Sequence, residues 1–240
     1  MALREIEFQG FSIPISYTLL NLDRDRDILF LHGWGASKEM MISSFRNSFQ
    51  EYRHIYIDLV GFGESGEPPY PLNSELYFKI IQKFLWDIGA SPKIVFGHSF
   101  GGKIATLLNP PILVLLSSAG IPLQKSFPTK LKIATFKLLK LFGLGKFRNL
   151  FISEDGKGLS ETMYQTFKNV VDEDFREIFR NREKETYIFW GKEDRATPLI
   201  AGEEIASLIP NSQLFPLEGD HFFFINQGKT IENIVYSRIR

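Results

Sequence analysis

Short stretches of continuous apolar residues alternate along the chain with segments in which apolar residues recur at helical spacing. Continuous apolar stretches are typical of strands that are covered on both faces of a parallel sheet. The predicted strands are 27–31, 54–58, 93–97, 112–116 and 186–190. The predicted helices are 38–49, 74–88, the stretch after Ser99, and 199–208. This alternation predicts an α/β fold with a mostly parallel sheet and helices on both of its faces.

Two segments depart from this alternation. Residues 6–11 and 13–17 predict two short strands that form a hairpin at the edge of the sheet. The 64 residues of 122–185 have helical periodicity and contain no convincing strand. We interpret 122–185 as a helical cap over the carboxyl edge of the sheet, inserted into a core made of 1–121 and 186–240. A long crossover packed on one face of the sheet is the alternative.

Composition and charge exclude several classes of protein. The 28 basic and 28 acidic residues of this 240-residue chain give a net charge of zero, so a dedicated nucleic-acid binder is not expected. There is no cysteine, which excludes disulfides, thiolate metal sites and cysteine nucleophiles. The chain has no long apolar stretch and no signal-peptide pattern at its N-terminus. We expect a cytoplasmic protein without stable membrane insertion.

A candidate nucleophile lies in the sequence Gly97-His98-Ser99-Phe100-Gly101, which fits the pattern G-x-S-x-G. The pattern occurs often by chance, but here it follows a predicted strand and precedes a helix, which is the context of a nucleophile elbow. The tight turn of an elbow leaves no space for side chains two residues on either side of the serine. We predict that Ser99 is the nucleophile; a glycine-rich turn with an idle serine is the alternative.

A serine hydroxyl needs a base that accepts its proton, and the chain has four histidines. His221 is the predicted base, because it lies in a loop between a short strand and the last helix. His54 begins a buried strand and is expected to be a core or surface residue. His98 should point away from Ser99, because successive side chains of an extended turn alternate. His32 is expected to hold its own loop.

The base in turn needs a carboxylate that fixes its tautomer. Asp194 is the predicted partner, because it lies in the loop after the fifth buried strand, 27 residues before His221. Glu193 and Asp220 are the alternatives. The chain order of Ser99, Asp194 and His221 is the order that an elbow of this kind requires.

Two backbone N–H groups are predicted to stabilise the tetrahedral oxyanion. One is that of Phe100, directly after the nucleophile. The other is that of Trp34, in the glycine-rich loop 32–35 after the first buried strand. This chemistry requires neither a metal nor a cofactor, so none is predicted.

With these motifs the chain resembles the α/β-hydrolase superfamily, in the subgroup that carries a helical cap after the sixth strand. Residues 58–65 also resemble the D-x-x-G-x-G-x-S turn of that superfamily, a structural motif without a chemical role. Serine at position 99, where dehalogenases and epoxide hydrolases of this fold have aspartate, implies a serine hydrolase. The strand at Ile112 begins only 13 positions after Ser99, which requires a short helix after the elbow.

Two substrate classes fit this resemblance. Carbon–carbon hydrolases of ring-cleavage dienoates usually carry tryptophan directly after the histidine, where this chain has Phe222. The loop 32–35 and the phenylalanines at 222–224 resemble the pimeloyl-acyl-carrier-protein methyl ester esterases of biotin synthesis. The resemblance therefore implies a carboxylesterase that acts on an acyl methyl ester. A non-catalytic binding protein with the same fold remains a third alternative.

The charge pattern of the predicted cap bears on the substrate. Residues 122–150 contain seven basic residues and no acidic one, whereas 151–185 contain nine acidic and six basic residues. A basic patch near the site entrance would attract an acidic carrier protein. The expected docking residues are Lys132, Lys137, Lys140 and Arg148, and the expected acyl-channel residues include Phe142 and Phe147. A solvated lysine face and a membrane-surface helix are the alternatives.

Overall fold

One eight-stranded sheet forms the centre of the molecule in the computed structural model, which describes residues 2–122 and 158–238. Its strands are β1 (Ala2–Phe8), β2 (Phe11–Leu20), β3 (Asp27–Leu31), β4 (Arg53–Ile57), β5 (Ile94–His98), β6 (Ile112–Leu116), β7 (Glu185–Gly191) and β8 (Ser212–Leu217). They lie in the order β1-β2-β4-β3-β5-β6-β7-β8. Strands β3 to β8 pair in parallel with one another, and β2 pairs antiparallel with both β1 and β4. The predicted α/β architecture is confirmed.

Helices cover both faces of the sheet. They are α1 (Lys38–Phe45), α2 (Ser74–Asp87), α3 (Phe100–Leu108), α4 (Glu161–Val171), α5 (Arg176–Arg180), α6 (Leu199–Leu208) and α7 (Gly228–Tyr236), with a 3-10 helix at Phe223–Asn226. Residues of α2, α3 and α6 pack in the core on one face, and residues of α1 and α7 pack on the other. Alternate residues of β3 enter the two cores, which explains why its sequence is apolar throughout. No helix in the described part of the chain is long and apolar enough to span a membrane.

The N-terminal hairpin is present, but the predicted strand ends were wrong. The turn lies at Gln9 and Gly10, which have φ angles of 50° and 82°. Two consecutive residues with positive φ allow a tight hairpin turn whose twist matches that of the strands. Both strands therefore run longer than predicted, over Ala2–Phe8 and Phe11–Leu20.

Helices α1 and α3 are both short, with 8 and 9 residues. The first ends at Phe45 rather than at residue 49, and Phe49 has a left-handed φ of 51° that no α-helix accommodates. The helix after the elbow is short, as the sequence spacing requires. It ends at Leu108, and Asn109 caps it with a left-handed φ of 49°.

The predicted cap falls partly outside the described residues, because 123–157 are among those that the structure does not describe. Its remainder, up to the start of β7, contains helices α4 and α5 and no strand. Helix α4 is fixed to the core: the Thr166 hydroxyl accepts a hydrogen bond from the Leu72 N–H at 3.0 Å, and the Asn169 amide donates to the Leu72 carbonyl at 3.0 Å. Met163 and Val170 of α4 are buried in the same core as α2 and α3.

Candidate active site

Ser99 lies in a strained turn between β5 and α3. Its φ and ψ are 49° and −114°, a combination that non-glycine residues rarely adopt and that clusters at functional sites. A β-carbon at Gly97 would lie 2.5 Å from the Gly101 carbonyl oxygen, and one at Gly101 would lie 2.5 Å from the His32 carbonyl oxygen. Both contacts are with backbone, so the steric reason for glycine on either side of the serine is the predicted one.

His221 and Asp194 meet from adjacent loops, after β8 and β7. The Nδ1–H of His221 donates to Oδ2 of Asp194 at 2.7 Å. Asp194 is 5% exposed and also accepts hydrogen bonds from the N–H groups of Ala196 and Thr197 at 2.8 and 2.9 Å. Burial by itself raises the pKa of Asp194, but these hydrogen bonds outweigh burial, and the pKa is lowered. Because Nδ1 of His221 carries the proton of this hydrogen bond, the lone pair of the neutral ring lies on Nε2, the atom that would accept a proton.

The two alternative carboxylates have other surroundings. Oδ1 of Asp220 accepts a hydrogen bond from the Phe222 N–H at 2.8 Å, and Glu193 is exposed. Among the described carboxylates near the site, Asp194 is the one that pairs with the ring of His221.

Backbone contact holds these two loops together. A β-carbon at Gly191, the last residue of β7, would overlap the Asp220 carbonyl oxygen. Only glycine allows this approach, and it fixes the distance between the loop of Asp194 and the loop of His221. A glycine at the end of a strand, Gly191, is visible in the sequence. The sequence does not reveal that the Asp220 carbonyl oxygen lies against it.

The loop of Trp34 packs against the elbow. His32 is fully buried; its Nδ1–H donates to the Gly33 carbonyl at 2.7 Å, and its Nε2 accepts from the Leu59 N–H at 2.9 Å. Burial lowers the pKa of His32 to about 4, so the ring is neutral and holds its loop, as predicted. A β-carbon at Gly33 would lie 3.1 Å from Cβ of Ser99, so the two predicted oxyanion segments adjoin.

Ser99 and His221 line one cavity of about 450 Å³, within the usual range for small-molecule sites. Trp34 and Phe100 line it as well, and the exposed ring of Phe222 lies at the same cavity. Helix α4 contributes an apolar wall of Phe167, Val170 and Val171. The cavity lies at the carboxyl ends of the parallel strands, where ligands bind in sheets of this kind.

Several residues at the site were not predicted. The Thr197 hydroxyl lies 2.9 Å from Oδ2 of Asp194 and 3.2 Å from Nδ1 of His221. The spacing Asp-x-x-Thr is a signal for such a local turn, since the Thr197 N–H also donates to Asp194. Lys103 lines the cavity although it is 1% exposed, and its ammonium pairs with Glu173 at 2.7 Å. Lysine is so seldom buried that sequence alone favours solvent for it.

Outside the described residues lie Phe142, Phe147, Lys132, Lys137, Lys140 and Arg148. Within 2–122 and 158–238, no group of three or more histidine, aspartate or glutamate side chains is arranged to hold a metal ion.

The turn at 58–65 has a structural role. Asp58 is fully buried and accepts hydrogen bonds from the N–H and the ammonium of Lys38, at 2.7 and 2.6 Å. The Glu64 N–H donates to Asp58 at 3.0 Å, and a β-carbon at Gly63 would overlap the Asp58 carboxylate. The buried ion pair of Asp58 and Lys38 ties the turn to the start of α1.

Sequence comparison supplies the family. A model of the alpha/beta hydrolase family matches residues 28–231, which is most of the chain. The chain belongs to the alpha/beta hydrolase family. The AB hydrolase superfamily protein YisY of Bacillus subtilis is 23% identical over 249 residues, covering 90% of this chain and 92% of that protein.

Two further relatives bear on this alpha/beta hydrolase. A pimeloyl-[acyl-carrier protein] methyl ester esterase of Edwardsiella ictaluri is 33% identical over 86 residues, which cover 34% of this chain and 30% of that enzyme. The structure of an esterase from Exiguobacterium antarcticum superposes with a TM-score of 0.73 at 22% identity, covering 94% of this chain and 95% of that one. The structural likeness shows that the fold is shared.

Proposed function

We propose that this alpha/beta hydrolase is a serine carboxylesterase with Ser99 as nucleophile, His221 as base and Asp194 as the carboxylate that orients the base. The observation that supports this most is the hydrogen bond between His221 and Asp194 beside a cavity that Ser99 also lines. The strained backbone of Ser99 supports it independently, since strain of this kind is characteristic of nucleophile elbows.

The reaction follows from these roles. His221 Nε2 accepts the proton of the Ser99 hydroxyl as its oxygen attacks the ester carbonyl, and the resulting oxyanion accepts hydrogen bonds from the N–H groups of Trp34 and Phe100. His221 then gives the proton to the leaving alcohol, which leaves an acyl-serine. Water, deprotonated by the same histidine, attacks the acyl-serine and releases the acid. The ionised Asp194 stabilises the imidazolium in both steps.

The test is the reactivity of Ser99. Wild-type protein should hydrolyse short p-nitrophenyl esters and react with a fluorophosphonate probe at Ser99, located by mass spectrometry. Ser99→Ala should keep the wild-type circular dichroism spectrum and lose both activities. Ser43→Ala, which changes an exposed serine on α1, should keep both. Full turnover by Ser99→Ala would exclude the proposal, and a folded wild type that neither labels nor hydrolyses would indicate a binding protein.

Within this proposal, the substrate is an acyl methyl ester carried on an acidic carrier protein, as in biotin synthesis, and the protein works in the cytoplasm. Two observations support this: the partial similarity to the Edwardsiella enzyme and the seven basic residues without an acidic one in 122–150. Turnover of a methyl-pimeloyl carrier conjugate should exceed that of a ring-cleavage dienoate. Faster turnover of the dienoate would instead establish a carbon–carbon hydrolase.

Docking of an acidic carrier protein can be tested by reversing the charge of the lysines expected to bind it. The triple variant Lys132→Glu, Lys137→Glu and Lys140→Glu reverses three of these charges. It should raise KM for the carrier conjugate and leave KM for p-nitrophenyl butyrate unchanged. Added salt should also raise KM for the conjugate in the wild type, since long-range attraction is screened over about 8 Å at physiological ionic strength. Equal KM values for the conjugate in both proteins would exclude docking on these lysines.

A further inference from the structure

His98 lies between the two loops that adjoin Ser99. It is the last residue of β5 and is 1% exposed, and its Nε2–H donates to the backbone carbonyl oxygen of His221 at 3.1 Å. Its other nitrogen, Nδ1, lies against the Trp34 loop, since a β-carbon at Gly33 would be 2.8 Å from that atom. One buried imidazole therefore bridges the loop of the proposed base and the proposed oxyanion loop.

The polarity of this side chain is not explained by packing. Nδ1 of His98 has no hydrogen-bond partner in the described part of the structure. A buried polar atom without a partner destabilises the folded state, and an apolar ring of similar size would avoid this cost. The ring is surrounded by aromatic neighbours, with centroids 4.7 Å from both His221 and Phe224. The polar contact that remains is the hydrogen bond to the carbonyl of His221.

That contact acts on a part of His221 that Asp194 does not reach. His221 lies in a loop between β8 and the 3-10 helix, where no strand ladder holds the backbone. Asp194 binds the imidazole ring at Nδ1, and His98 binds the main chain of the same residue. Two hydrogen bonds from separate elements, one to the ring and one to the main chain, thus both contribute to the position of the Nε2 atom of the base.

We propose that His98 is a positioning residue, whose hydrogen bond to the carbonyl of His221 keeps the base in place for proton transfer from Ser99. This inference rests on the proposed esterase function. His98 does not exchange protons with substrate in this role, and its ring stays neutral throughout. A shift of about 1 Å in a catalytic group lowers rates by as much as roughly 100-fold.

The experiment compares side chains with and without a donor at position 98. His98→Phe removes the donor and keeps an aromatic ring, and His98→Gln places an amide nitrogen the same number of bonds from the backbone as Nε2. For p-nitrophenyl butyrate, we expect His98→Phe to lower kcat roughly 10 to 100-fold with KM unchanged. His98→Gln should restore most of that loss. The rate of fluorophosphonate labelling of Ser99 should fall and recover in parallel.

His54→Phe is the matched control. His54 is also a fully buried histidine that bonds a backbone carbonyl, that of Phe49 at 3.0 Å, but it lies near the amino end of β4. Since the site lies at the carboxyl ends of the strands, this control should lose stability without losing kcat. A loss of kcat as large as that of His98→Phe would show that destabilisation alone explains the effect and would overturn the inference.

The outcomes separate this inference from the proposed function. Turnover by Ser99→Ala would refute the esterase proposal whatever the behaviour of His98 variants. If Ser99 is required but His98→Phe keeps the wild-type kcat, only the positioning role fails. It also fails if folded His98→Gln is as slow as His98→Phe. His98→Met provides a second donor-free side chain, with the same expected loss, should the phenylalanine variant not fold.

Discussion

Two buried neutral histidines should make the stability of this protein depend on pH between about pH 7.5 and pH 5.5. Burial lowers the pKa of His32 to about 4 and that of His98 to about 3. For His98 the nearby ring of His221 lowers the pKa further. In the unfolded chain both rings titrate near the ordinary histidine pKa of about 6.5. The unfolded state therefore binds protons in this range that the folded state does not.

The sign and size of this pH dependence follow from the number of protons that the folded and unfolded states bind. Because the unfolded state binds more protons, stability is fully present above the unfolded pKa and falls as the pH drops from 6.5 toward the folded values. Each histidine costs up to about 1.36 kcal/mol per pH unit in that range, which integrates to about 1.3 kcal/mol between pH 7.5 and pH 5.5. Together His32 and His98 lower the free energy of unfolding by about 2.7 kcal/mol.

The carboxylates of Asp58 and Asp194 contribute little to the pH dependence of stability in this interval. The pKa values of Asp58 and Asp194 are lowered, because their hydrogen bonds outweigh the opposing effect of burial. Their contribution to stability is present above the ordinary carboxyl pKa of about 4 and is lost only below it. Burial also lowers the pKa of His54, which adds a pH dependence of the same sign. Single variants of His32 and His98 therefore isolate the contribution of each ring to the pH dependence.

The assay is urea unfolding followed by circular dichroism at the two pH values. His32→Gln and His98→Gln should each reduce the stability difference between them by about 1.3 kcal/mol, whatever stability they lose at neutral pH. Leu113→Ala, which truncates a fully buried core residue, should lose stability equally at both. If the glutamine variants keep the wild-type pH difference, the argument that these rings are buried and neutral is wrong.

Three further predictions concern single contacts. Asp194→Asn should keep the fold and lower kcat for p-nitrophenyl butyrate by a factor on the order of 10⁴, measured at saturating substrate, because His221 loses the partner that fixes its tautomer; a loss below tenfold would contradict this role. Gly191→Ala should cost about 1–3 kcal/mol in urea unfolding, since its β-carbon meets the Asp220 carbonyl oxygen, and an unchanged midpoint would refute the contact. Lys38→Met should cost about 3–5 kcal/mol because it leaves a buried carboxylate unpaired, and adding Asp58→Asn should recover part of that loss.

The amino-acid sequence alone determined the order of the elements and the position of the elbow. Local patterns were sufficient, because a strand buried on both faces must be apolar throughout, and a turn as tight as that at Ser99 requires glycine on either side. The hairpin ends and the end of α1 were missed, since they depend on residues such as Gln9 and Phe49 adopting a left-handed backbone. Nothing in their residue types favours that conformation.

Only the tertiary structure decided which polar groups meet. Three carboxylates near His221 were equivalent by charge, and the hydrogen bond to Asp194 distinguishes it, because the loops after β7 and β8 are brought into contact by their parallel pairing. The contact of His98 with the carbonyl of His221 joins residues 123 positions apart. Hydrophobic periodicity carries information about faces and elements, whereas hydrogen-bond partners depend on distances of a few tenths of an ångström between elements that are remote in sequence.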